Sequence, residues 1–180
     1  MKKYLMLITF LFGFISIHAQ HISFMGIQLG QSERVVDRLI RQKGFRFVGI
    51  NNVMLTKMYD GTFWHFEDTR LNTEVENGKV TAISLSPSYR IYNQMSSFNS
   101  LVSGLDRKYG NHRPIADFFT SSDFADRKGY YWKATGGFVV AYYAQNELNG
   151  EILISIEYLD NSNKQVIIEK GRKRDRSNDL

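Results

Sequence analysis

The segment Glu151 to Tyr158 reads EILISIEY, and its strict alternation narrows the fold more than any other feature. Successive strand residues point to opposite faces. Ile152, Ile154, Ile156 and Tyr158 therefore share one side, and Glu151, Leu153, Ser155 and Glu157 share the other. One apolar and one wetter face is antiparallel-sheet behaviour. Two Asn-Gly dipeptides, Asn77-Gly78 and Asn149-Gly150, stand between strand-like runs. Both are strong hairpin signals, because type I′ turns need positive φ at each central position. Asp60-Gly61 is a third expected turn, pairing Tyr59 with Thr62, Lys57 with Trp64 and Leu55 with Phe66. Val53 joins that apolar side; Met54, Thr56, Met58, Phe63, His65 and Glu67 take the opposite one. Further strands are expected at 45–50, 71–76, 80–85, 130–134, 138–144 and 165–168.

Two helical patterns interrupt the strands. Ser32 to Lys43, closed by Gly44, carries Val35, Val36, Leu39 and Ile40 at helical spacing, with Ser32 as N-cap. About Asn93 to Tyr109, closed by Gly110, carries Phe98, Leu101, Val102 and Leu105. Each helix leads into strands and then an Asn-Gly turn, so the order repeats, with Pro87 at the joint. The expected class is α+β: two tandem helix-plus-antiparallel-sheet repeats, about 22–86 and 89–168, with both helices on one face of a curved sheet.

The two ends read differently from the body. Residues 1–20 have Lys2 and Lys3, an apolar run from Tyr4 to Ile17 and a small residue at Ala19, the pattern of a signal peptide. No second long apolar run follows, so no membrane span is expected once the leader is removed. The chain has 23 basic and 18 acidic residues. The leader holds two of the basic residues, and residues 169–180 hold five more against three acids. Residues 21–168 thus keep 16 basic and 15 acidic groups, nearly neutral, which argues against nucleic acid as a partner. The last twelve residues read as a basic, disordered tail.

Three segments carry a resemblance. FMGIQLGQSERVVDRLIRQKGF (Phe24 to Phe45), LVSGLDRKYG (Leu101 to Gly110) and NGEILISIEYLDNSN (Asn149 to Asn163) look like a group of small, uncharacterised, exported bacterial proteins. The two-repeat architecture is similar to that of the β-lactamase-inhibitor-protein-like fold. That resemblance implies a binding surface on the open face of the sheet and carries over no catalytic residue. The chain differs from the inhibitor itself in having no cysteine.

Catalytic and metal chemistry find little support. The absence of cysteine excludes disulfides, thiolate catalysis and Cys-ligated metals. The four histidines, His18, His21, His65 and His112, include no pair at metal-ligand spacing. His21, beside the expected cleavage point, reads as a frayed terminus, and His112 as turn filler. His65 and Glu67 lie two apart on one expected strand, so a carboxylate-oriented imidazole is geometrically open and a small hydrolase is one alternative. Glu74, Glu76 and Lys79 read as solvated strand residues around the Asn-Gly turn, and Asp160 to Asn163 lacks the full calcium-loop pattern.

What remains is surface. Met58, Phe63, His65 and Tyr142 are the candidate binding residues on the wetter face, with Tyr142 on the same side as Glu157. The leading expectation is an exported, periplasmic or secreted, non-enzymatic protein without cofactor or metal. It binds a protein or cell-envelope component through the open sheet face, with a structural homodimer through that sheet as a further alternative. The exported protein should begin at or next to His21. Intact-mass spectrometry of material from the native host checks this, and a mass retaining residues 1–20 would contradict it.

Overall fold

The computed structural model describes residues 21–87, 94–117, 127–145, 152–163 and 166. The leader, Asn149-Gly150 and the basic tail lie outside the described residues, as do 165, 167 and 168 of the expected last strand. A two-stranded ribbon opens the described chain, β1 (Ser23–Phe24) and β2 (Ile27–Gln28), turning through Met25 and Gly26 at φ 47 and 85. Helix α1 (Glu33–Gln42) follows, then β3 (Arg46–Asn51), β4 (Thr56–Phe63), β5 (Phe66–Glu76) and β6 (Lys79–Ser86). Helix α2 (Gln94–Tyr109) comes next, then β7 (Arg113–Pro114), a 3-10 turn at Ile115–Asp117, β8 (Lys128–Ala134), β9 (Gly137–Gln145) and β10 (Ile152–Asp160).

Both helices form where the apolar spacing places them. The backbone carbonyl of Ser32 accepts from the Val35 and Val36 amides at 3.0 and 3.1 Å, although the Ser32 side chain makes no cap bond. The eight longer-sheet strands lie in the order β3-β4-β5-β6-β10-β9-β8-β7, every pair antiparallel. The class is therefore α+β, dominated by sheet. At the middle, β6 meets β10 with Leu85 opposite Ile156 and Ile83 opposite Tyr158. The Asn77-Gly78 turn forms as expected, with φ 50 and 73, and sets Glu76 opposite Lys79.

The main core lies between the sheet and the helices with the ribbon. Val36 and Ile40 of α1, Phe98 and Leu101 of α2, and Phe24 and Ile27 pack there against Leu71, Ile83, Leu85, Trp132, Ile154, Ile156 and Tyr158. The alternation of β10 thus holds as read. The residues next to His21 are not frayed: Ile22 is fully buried, and its amide donates to the Thr135 carbonyl at 2.9 Å.

One expected turn is displaced. β4 runs straight through Asp60-Gly61, and the hairpin reverses at Trp64-His65, with Trp64 at φ 59. Gly61 serves close packing rather than a turn: a Cβ there would stand 2.6 Å from Cδ1 of Phe45. Phe63 is then free to enter the core, its ring 5.6 Å from that of Phe24. Val53, Met54 and Leu55, expected in a strand, form the β3–β4 loop instead.

Polar contacts fix each helix to the sheet. The Tyr59 hydroxyl donates to Asp37 of α1 at 2.7 Å. The indole N–H of fully buried Trp132 donates to Asp106 of α2 at 2.9 Å, and His112 Nδ1 lies 2.9 Å from the same carboxylate oxygen. Burial alone would raise the Asp106 pKa, but the Trp132 hydrogen bond and then His112 outweigh it and hold the carboxyl below its usual value. A depressed acid pKa contributes stability that is complete above the unfolded value and is lost as pH falls through the folded one. Asp106→Ala leaves a buried indole donor unpaired and should destabilise by about 1–3 kcal/mol at neutral pH in urea unfolding. The difference from the native sequence should shrink as the pH falls through the carboxylate range, leaving the part owed to the unpaired indole, since a protonated carboxyl still accepts from Trp132.

Candidate binding edge

The four residues expected to share a wet face do not do so. Met58 is half-buried on β4, where its sulfur lies 3.8 Å from Nη1 of Arg70. Phe63 is 7% exposed and belongs to the helix-side core. His65 is exposed in the β4–β5 turn, its ring 5.8 Å from that of Trp64. Tyr142 is 8% exposed and packs on the opposite side of the sheet from Phe63. The displaced turn is the physical reason. Moving the reversal from Asp60-Gly61 to Trp64-His65, with an irregular register between Gly61 and Phe63, changes which face each residue takes. It also removes the common strand face on which His65 and Glu67 were paired. Both side chains are exposed, and no hydrogen bond joins them among the described residues.

The far side of the sheet is not uniformly open either. Ala82, Tyr131, Phe138, Val140, Tyr142 and Leu159 form a second apolar cluster there, closed by Ile115 and Val166. The expectation of a free sheet face is corrected accordingly over β8, β9 and β10. Those strands carry large apolar side chains on both sides, and Ile115, ahead of β8, and Val166, after β10, pack with them on the far side.

Beside this cluster lies a group of polar side chains. The Tyr142 hydroxyl donates to Glu157 Oε1 at 2.7 Å, which places the two on one side as the alternation indicated. The Arg127 guanidinium stands 4.8 Å from the Tyr142 ring centre. Asn163 donates to Glu74 at 3.1 Å and to Thr81 at 3.3 Å, tying the end of β10 to β5 and β6. Burial pushes the Glu157 carboxyl above its usual value, and the charge of Glu74 adds to that; Tyr142 and Arg127 act the other way without reversing it. Burial, with Glu157 beside it, also pushes the Tyr142 phenol up.

Apart from Met25, Trp64 and Leu153, the exposed large apolar residues among the described ones gather along β3 and its hairpin. Val48 is 39% exposed, Ile50 52%, Val53 92%, Met54 72% and Leu55 78%. The loop is locally braced. The Asn51 side-chain oxygen accepts from the Val53 amide at 3.0 Å and the Met54 amide at 3.2 Å, and Leu55 takes φ 54. Asn51-Asn52 was the available sequence signal for this turn, obscured by the Asp60-Gly61 assignment. β3 is also an outermost strand, with no strand paired to its outer side among the described residues. The other outermost strand, β7, has only two residues, one of them Pro114.

The chain matches no protein-family description, no curated protein and no solved structure. Among the described residues, no helix is long and apolar enough to cross a membrane.

The raised Glu157 pKa has a definite stability sign. The folded state holds this proton to higher pH than the unfolded chain, so stability falls as pH rises from the unfolded pKa through the folded one. Glu157→Gln keeps an oxygen acceptor for Tyr142 and removes the buried charge. Thermal unfolding should show it more stable than the native sequence at neutral pH, with the gain vanishing below the usual glutamate range.

Proposed function

We propose that this is an exported, non-enzymatic binding protein whose contact surface is the β3 edge with the β3–β4 hairpin. The observation that carries the reading is the continuous exposure of Val48, Ile50, Val53, Met54 and Leu55 on one strand and its turn. A run of exposed apolar side chains is costly in water unless a partner covers it. Its position on an outermost strand adds backbone donors and acceptors to the same surface. The partner is a protein or a protein component of the cell envelope, and the leader pattern of residues 1–20 supports that compartment.

The reading includes the origin of the fold as two tandem copies, each a helix followed by four strands. It is supported by the strand order, in which β3 to β6 run inward from one edge and β7 to β10 run inward from the other. That arrangement is the basis for likeness to the β-lactamase-inhibitor-protein-like architecture; the proposed surface is the edge rather than the face of the sheet.

Immobilised protein, exposed to an envelope extract and read by mass spectrometry, tests the proposal. Met54→Ser and Leu55→Ser should lose the captured component while changing stability by less than about 0.5 kcal/mol, since neither side chain is packed. His65→Ala should retain it. Capture unaffected by the hairpin substitutions would overturn the assignment of the surface.

A further inference from the structure

We infer that the β3 edge pairs antiparallel with β3 of a second copy of this chain, joining two eight-stranded sheets across a two-fold axis at Val48–Gly49. The inference rests on the β3 edge being the contact surface and names its occupant.

The strand is complementary to itself. In the register that sets Arg46 opposite Asn51 of the second copy, Phe47 falls opposite Ile50, and each pair occurs twice by symmetry. A regular strand could not do this, because residues three apart point to opposite faces. Here the register with β4 shifts between Phe47 and Gly49. Phe47 lies opposite Tyr59 and Ile50 opposite Lys57, two β4 residues that both face α1 through Asp37 and Glu33. The irregularity therefore returns Phe47 and Ile50 to the same side, where an aromatic and a β-branched side chain form a favourable cross-strand pair.

Charge and shape agree with this register. Arg46 is the single charged residue of β3, and the pairing puts it across from neutral Asn51, so no like charges meet. Gly49 sits at the axis without a side chain, where two backbones must approach closely. Each hairpin would extend past Arg46 of the other copy, bringing Val53 and Met54 alongside the 43–45 corner. Those are two of the most exposed apolar side chains among the described residues. Edge-to-edge pairing at β7 has no comparable basis, because that strand is two residues long and contains a proline.

Sedimentation velocity of the purified protein over a wide concentration range is the primary test. A reversible dimer is expected, and Ile50→Lys should weaken it by about tenfold or more, by removing the apolar partner of Phe47 and setting a second cation beside a ring that Arg41 already covers. A monomer at every concentration, or a dimer indifferent to Ile50→Lys, would overturn the inference. The chain has no cysteine, so introduced thiols report the register directly. Arg46→Cys with Asn51→Cys should give a covalent dimer on mild oxidation, the paired Cβ atoms being about 4.5–5.5 Å apart. Arg46→Cys alone should not, since its symmetry mate lies about 17 Å along the strand. Equal cross-linking by the single variant would reject this register. A monomer whose envelope capture still depends on Met54 and Leu55 would refute self-pairing while leaving the binding edge standing. Indifference in both assays would remove both.

Discussion

The junction of β6 with β10 is the contact on which the rest of the molecule depends. It joins Ala82–Leu85 to Ile156–Leu159, segments more than seventy positions apart, and no hairpin turn holds it in place. Ile83, Leu85 and Ile156 are fully buried there, facing the helices and the ribbon. Closing a loop of that length costs entropy, which the apolar burial at the junction must offset. Every other main-sheet pairing joins strands consecutive in the chain. The junction therefore turns two local meanders into one sheet with a shared core.

That sheet makes different use of its two sides. The helix side is apolar, and polar contacts such as Tyr59 with Asp37 and Trp132 with Asp106 fix the helices at defined positions. The far side combines a smaller apolar cluster with Glu157, Tyr142, Glu74 and Asn163. A carboxyl whose pKa is raised by burial opposes folding at neutral pH, so this side contributes less stability than its packing alone suggests. Closure there moves the exposed apolar surface to the outer strand. Gly49 and the braced Asn51 turn give that strand a defined shape.

Much of the fold was legible because local rules and tertiary demands agree. The α1 and α2 stripes are apolar at helical spacing, and a positive-φ glycine follows each helix at Gly44 and Gly110. Asn77-Gly78 turns where its chemistry requires, and β10 alternates as read. The candidate site was less legible because its reading hung on a single turn. Asp60-Gly61 has hairpin composition, yet the Phe45 ring occupies the space where a Gly61 side chain would stand. Phe63 follows the strand into the core against Phe24. A local turn signal worth a few tenths to one kcal/mol yields to burial of an aromatic side chain worth about 1.5–3 kcal/mol.

By itself, the sequence determined the α+β class, the two helices, the antiparallel pairing and the apolar side of β10, because each follows from periodicity within a dozen residues. Tertiary structure alone decided that β6 and β10 meet, that Tyr142 is covered while Val53 to Leu55 are left bare, and that the irregularity in β3 aligns Phe47 with Ile50. Those outcomes depend on which distant segments compete for the same apolar surface. A one-residue change of register exchanges the two faces of a strand, so no short stretch of sequence contains the answer.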